Sequence, residues 1–283
     1  MAKKKQAADE AEMDTTYAEE TESRANPRGV KTKYDEFEVN LWVTNFNSAE
    51  IGIYQHSRHR AKSRQFTKDM DIFAEVKDEK GERTNLLAYR KSLWEDNEGM
   101  ERRLVIKHFS DEMNWRGTLD LMLGRSVQLT HGAGGFPVTA YSINISGHDQ
   151  LVQVERSAYK WVGTPESFSF FILRDKKPCF YRIRRNWISI GDDYTLYDEH
   201  ERRIGKLNGR VLNIGGKWKC WVEKDHCCKV LQTVLELFCA MLRFNDDCRH
   251  HIQDLVKEMH DGEFVPVLES QEADLYMNPR RVR

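Results

Sequence analysis

The sequence predicts a mainly β protein in which about a dozen antiparallel strands build one sheet that tends to close on itself. Three observations predict it. Residues 180–227 contain two copies of one 24-residue hairpin unit, short alternating apolar and polar runs fill the chain from Phe37 onward, and turn residues separate most of those runs. Alternation with β-branched and aromatic residues is the pattern of half-buried strands, and many short ones point to a sandwich or barrel. Closure removes the exposed edges of a large sheet.

The chain has 283 residues, 40% of them apolar. That is enough for one large domain or two small ones. The formal net charge of −1 creates no overall field for nucleic acid, so affinity for an anionic ligand has to come from a local patch. Six cysteines, Cys179, Cys220, Cys227, Cys228, Cys239 and Cys248, form no CxxC pair. They read as free thiols in a reducing compartment. The start, Met1-Ala2-Lys3-Lys4-Lys5, runs into acids without an apolar stretch, unlike a secretory signal. A cytoplasmic protein without a transmembrane span is expected.

Residues 1–30 pair three lysines with seven following acids and few large apolar side chains. Such a segment buries too little surface to offset its ordering entropy, which predicts a disordered charged tail. The domain proper is expected over 31–283. The strand series is Phe37–Val43, Met70–Val76, Leu86–Tyr89, Leu104–Ile106, Leu119–Leu123, Val138–Ile145 and Leu151–Val154. Asp78-Glu79-Lys80-Gly81-Glu82 suits a hairpin turn. Residues 49–68 are basic and weakly patterned, and residues 31–130 fit either the first strands of the sheet or a separate small α+β domain.

In the repeat, Ile183 meets Leu207, Ile188 meets Leu212, Ile190 meets Ile214, Gly191 meets Gly215, Tyr194 meets Trp218 and Tyr197 meets Trp221 at a constant offset. Arg182 meets Lys206 in the same register. A fainter third copy sets Phe170, Ile172 and Phe180 against Tyr194, Leu196 and Ile204. The two glycines suit hairpin positions of positive φ.

After the repeat, Val230, Leu231, Val234, Leu235, Phe238, Met241 and Leu242 follow helical spacing. Leu237, Cys239, Ala240 and Phe244 carry the apolar surface nearly all the way round, so this helix must be enclosed. Lys229, Gln232 and Glu236 then need polar partners or a place near the mouth of the fold. A second helix is expected at about Asp246–His260, with Ile252, Leu255, Val256 and Met259 on one side.

The run Tyr181-Arg-Ile-Arg184, then Ile188-Ser-Ile-Gly-Asp-Asp-Tyr-Thr-Leu-Tyr-Asp198, then Ile204-Gly-Lys-Leu-Asn-Gly-Arg-Val-Leu-Asn-Ile-Gly215 resembles the LURP-one-related branch of the tubby-like superfamily. That superfamily also includes the phospholipid scramblases. The resemblance covers residues 168–243, about a quarter of the chain. It implies a closed barrel of about twelve antiparallel strands around a central hydrophobic helix, with the C-terminal helix outside that match. It further implies a non-enzymatic binding or adaptor protein for anionic phospholipid headgroups or a protein partner, peripheral to a membrane. A scramblase-like lipid-transport function, in which the helix leaves the barrel, is the alternative.

Tubby domains bind phosphoinositides through outward basic side chains. By position, the candidates here are Arg182, Arg184, Arg185, Lys206, Arg210, Lys217 and Lys219. The same residues also suit a solvated strand face with lysines guarding an edge. Other motifs are weaker. His226-Cys227-Cys228 and Cys248-Arg249-His250-His251 lack the spaced pairs of structural zinc. Thr130-His131-Gly132-Ala133-Gly134-Gly135-Phe136-Pro137 is similar to an esterase oxyanion loop, but the chain has no G-x-S-x-G elbow, and it reads as a flexible connection. Ser146-Gly147-His148-Asp149 reads as a turn. No P-loop or Rossmann fingerprint appears, so no cofactor is expected.

Overall fold

A computed structural model of the chain describes residues 33–41, 65–67, 69–158, 165–187, 193–209 and 216–262. The expected tail, nearly all of residues 49–68, and Ile188, Ile190, Gly191, Arg210, Leu212, Ile214 and Gly215 lie outside the described residues. All the elements fall within the compact unit Tyr34–Arg283.

Among the described residues, twelve antiparallel strands close into one barrel. They are β1 Tyr34–Asn40, β2 Met70–Asp78, β3 Arg83–Arg90, β4 Val105–Ser110, β5 Trp115–Leu121, β6 Ala140–Ile145, β7 Val152–Arg156, β8 Ser167–Arg174, β9 Lys177–Arg185, β10 Tyr194–Tyr197, β11 Arg203–Gly209 and β12 Lys217–Glu223. Each strand pairs with its sequence neighbours, and β1 pairs with β12 to close the ring. Residues from Tyr34 onward therefore supply the first barrel strands. Among the described residues, four α-helices accompany them: α1 Lys91–Glu95, α2 Leu123–Gly132, α3 Lys229–Leu242 and α4 Asn245–His260.

Local chemistry explains the turns. At Asp78 the backbone N–H bonds to the Glu82 carbonyl at 2.9 Å, Gly81 takes a φ of 80°, and Asp78 Oδ1 accepts from the Lys80 and Glu82 amides. The β8–β9 hairpin turns on Asp175 and Lys176, at φ 51° and 65°. Two successive positive φ values match the twist of a two-residue hairpin.

Alternation sorts the side chains. On β12, Trp218, Cys220 and Val222 are buried while Lys217, Lys219 and Trp221 are half-buried. One core cluster joins inward residues of all twelve strands to α3 and to buried residues of α4. A second cluster (Ile72, Leu86, Ala88, Phe109 and Met113) takes the alternate positions of β2, β3 and β4. Phe66, Met70 and Trp115 pack against it, and all of β4 is buried, Lys107 and His108 included.

Helix α3 reaches many strands. Phe238 stacks edge-on against Phe168 of β8 (5.0 Å) and Tyr194 of β10 (5.8 Å). Cys239 Sγ lies 3.7 Å from Cys220 Sγ of β12. A Cβ on Gly117 of β5 would meet Thr233 and Leu237 at 3.4 and 3.5 Å. Two polar residues of the helix have partners: Glu236 accepts from Asn85 of β3 and from Gln232, and lies 2.8 Å from His108 Nε2 of β4, while Lys229 is exposed at its start. The helix starts on Cys228, whose sulfur accepts from the Leu231 amide.

One expectation is corrected, and one aligned repeat pair diverges. The stretch from Thr130 is not a loose connection; it closes α2, with Leu123, Val127 and Thr130 buried at i, i+4, i+7. Phe180 does not share the inward position of its repeat partner Ile204, being 37% exposed against 1%. A β-bulge between Leu196 and Tyr197 pairs those residues with Gly205 and Arg203 and leaves Ile204 over. The extra residue shifts the in–out phase of β11 relative to β9.

Candidate functional site

Register and alternation together place the basic candidates. In the row Arg184–Thr195–Lys206–Trp221–Glu36, successive residues lie opposite one another across β9, β10, β11, β12 and β1. Arg182 stands two residues from Arg184, and Lys217 and Lys219 stand on the same side of β12 as Trp221, so five candidates share the outer wall. Arg185 is exposed at the end of β9 on the alternate position. Arg210 lies outside the described residues.

Acids from other parts of the wall meet these cations. Arg182 and Arg184 both pair with Glu201, the latter at 3.2 Å. Lys206 Nζ is 3.5 Å from Asp193, Lys217 Nζ is 2.6 Å from Glu38, and Lys219 Nζ is 2.6 Å from Glu36. Aromatic rings back them: Arg184 lies over Tyr197 at 5.0 Å and Lys219 over Trp221 at 5.1 Å. Trp221 Nε1 donates to Glu36 Oε2 at 2.9 Å. The Glu201 position is built by Asp198, whose carboxylate accepts from the His200 and Arg202 amides and from the Arg202 guanidinium. Burial acts to raise the Asp198 carboxyl, but those donors prevail and hold it below the ordinary range. Glu201 follows at φ 57°. The wall is thus a lattice of matched charges, and exposed pairs of this kind are worth about 0–1 kcal/mol each.

A feature that the repeat did not single out adjoins this wall. Phe171, Leu173 and Phe180 are three of the four exposed large apolar residues among those described, at 44%, 42% and 37%. Phe171 faces Phe180 across the β8–β9 hairpin. The sequence carried a signal: Phe170-Phe171-Ile172-Leu173 is apolar at four consecutive positions, two more than a strand with one buried face needs.

The remaining chemistry-bearing groups serve structure. The Gly134 and Gly135 amides bond to the carbonyls of His131 and Thr130 at 2.9 Å; they cap α2 and do not face an oxyanion. A concavity of about 470 Å³ beside them is lined by His131, Gly134, Gly135, Gln253, Val256, Lys257 and His260. Burial and a hydrogen bond with Asp35 push the Cys227 thiol up to about 12, the opposite of an activated nucleophile. Ser146–Asp149 is a turn, with Gly147 at φ 74°. Among the described residues, no three His, Cys, Asp or Glu side chains gather as metal ligands.

Arg156, Tyr194 and Asn245 converge on Glu166 and tie β7, β10 and α4 together. Burial acts to raise that carboxyl, and the Arg156 charge with the three hydrogen bonds holds it low. Arg103 Nη2 donates to both oxygens of Asp120 at 2.8 and 2.9 Å, both residues 1% exposed. Comparison with protein-family models, with curated proteins and with solved structures finds no match to the chain.

Proposed function

We propose that the chain is a non-enzymatic binding module of tubby-like fold, with α3 as the barrel's central helix, that meets anionic phospholipid headgroups on the outside of the barrel. One observation carries the reading. The inward side chains of every strand and of α3 belong to a single buried cluster, so a ligand has the outer surface to bind. On that surface, Arg182 and Arg184 stand beside aromatic rings and the exposed Glu201, Lys219 stands beside Trp221 and Glu36, and Lys206 stands beside Asp193. A multivalent phosphate can displace carboxylates whose exposed pairs hold them by only about 0–1 kcal/mol each.

The alternative in which α3 leaves the barrel to span a bilayer has less support. At 14 residues, α3 is about 21 Å long, short of a hydrocarbon core about 30 Å thick. None of the helices described is long and apolar enough to cross a membrane. Withdrawing α3 would also strip Glu236 from Asn85 and His108.

Cosedimentation with vesicles that contain or lack phosphoinositide tests the proposal. Wild type should bind the phosphoinositide vesicles more tightly, and R182E/R184E/K206E should bind them at least about tenfold more weakly. Equal binding by the two proteins removes the headgroup role of this wall.

A further inference from the structure

The β8–β9 hairpin stands apart from the wall it extends. Strand β7 pairs with β8 only at Phe168 and Ser169, so the outer half of β8 has no strand on that side. Gln150 takes the strand's place: its Nε2 donates to the Phe171 carbonyl at 3.1 Å and its Oε1 accepts from the Leu173 amide at 2.7 Å. Two backbone groups of this edge are thereby satisfied, and on the other side β9 is bonded to β10 only over Arg182–Arg185, so the hairpin projects beyond the wall. The hairpin offers side chains.

Those side chains are of two kinds. Phe171, Leu173 and Phe180 alternate outward on one face, with the Arg182 guanidinium 5.8 Å from the Phe180 ring. At the tip, Lys176 and Lys177 are exposed and have no ion pair among the described residues, whereas Arg182, Arg184, Lys206, Lys217 and Lys219 on the wall are each matched by an acid. Arg174 reaches the Asp225 carbonyl, and Asp175 is the one acid of the turn. Uncompensated cationic charge therefore sits where the exposed apolar surface is.

The size of the patch decides between occupants. Three large side chains, each about two-fifths exposed, present on the order of a few hundred Å². A stable protein interface needs upwards of about 1,200 Å² in total. Shallow insertion into a lipid surface needs no more than such an area, aided by cations near anionic headgroups.

We infer that the β8–β9 hairpin is the membrane anchor of the protein: Phe171, Leu173 and Phe180 enter the headgroup–acyl boundary of an anionic bilayer while Lys176 and Lys177 meet lipid phosphates. This rests on the lipid-binding reading above and moves its main contact from the charge-matched wall to the hairpin. Trp187, 65% exposed, lies beyond the opposite end of β9.

The test uses the full chain with phosphatidylcholine vesicles that contain or lack phosphatidylserine. Variants F171S/L173S/F180S and K176E/K177E alter exposed positions, and unchanged circular dichroism and thermal unfolding establish that they fold. Wild type should bind the phosphatidylserine vesicles, the serine variant should lose more than about tenfold in partition, and binding by the glutamate variant should no longer respond to phosphatidylserine. Sustained binding by the serine variant alongside wild type overturns the anchor and leaves the headgroup reading standing. Failure of wild type on both these vesicles and the phosphoinositide vesicles overturns the two together. Sedimentation velocity covers the competing occupant: a wild-type dimer that the serine variant abolishes, without vesicle binding, assigns the patch to self-association and overturns the lipid assignment.

Discussion

Replacing Glu236 with leucine strands polar groups inside the protein. Glu236 is 1% exposed and belongs to α3; Asn85 Nδ2 donates to it at 3.2 Å and Gln232 Nε2 at 2.8 Å, while His108 Nε2, on a ring 2% exposed, lies 2.8 Å from Oε2. Burying polar groups of this kind costs several kcal/mol, which the partners they find offset, so the intact cluster comes close to break-even against apolar side chains.

Removing one member is different. E236L or H108L alone should cost about 3–5 kcal/mol, because the other group stays buried without its partner. The double variant E236L/H108L should cost much less than the sum, with a coupling of about 2–3 kcal/mol. Equilibrium urea unfolding of the four proteins measures this, with m-values compared to establish a common transition. Additivity within about 0.5 kcal/mol would refute the pairing of α3 with β4.

Two further outcomes follow from particular atoms. A Cβ on Gly205 would lie 2.6 Å from the Trp221 carbonyl oxygen and 3.4 Å from Leu196, so G205A must push β11 from β12. That overpacking should cost about 1–3 kcal/mol, or several degrees in Tm for a chain of this size, and an unchanged Tm would show that the backbone yields without strain. Burial and the Arg102 charge lower His251 from the ordinary 6.5 to about 4, against Asp254 and the Arg102 and Gly99 backbone. The folded state therefore refuses a proton that the unfolded chain accepts. The resulting stability, up to about 3 kcal/mol, is complete above pH 6.5 and lost as pH falls through about 4. An H251Q variant should flatten the stability profile across that window; parallel profiles would place the titration elsewhere.

How far the fold was legible depended on the range of the interaction. The strand runs at Met70, Leu86, Ala140 and Val152 were visible because a strand with one buried face writes a period of two into its own residues. The α3 stripe was visible for the same reason at a period of 3.6. Helix α2 escaped because three of its five buried positions, Gly124, Ser126 and Thr130, are small or polar, which leaves only Leu123 and Val127 to carry an apolar signal. The alignment of Phe180 with Ile204 says nothing of their exposure, because a constant offset of 24 assumes equal strands and the bulge opposite Leu196 breaks that equality.

For the candidate site, alternation alone put Arg182 and Arg184, and likewise Lys217 and Lys219, on shared outward faces, since which way a side chain points follows from the backbone pleat. It could not tell that Lys217 and Lys219 meet Glu38 and Glu36, acids about 180 positions away in the sequence. Only the closing pair β1–β12 brings them together. The unmatched cations and the exposed apolar face of the β8–β9 hairpin were decided at the same level. Exposure depends on where β7 stops pairing and on the side chain of Gln150, a residue from another loop. By itself, then, the sequence determined strand and helix identity and the inward or outward sense of most side chains, because those depend on near neighbours along the chain. Tertiary structure decided which charges are cancelled and which apolar surface stays in water, because both depend on partners that only barrel closure makes adjacent.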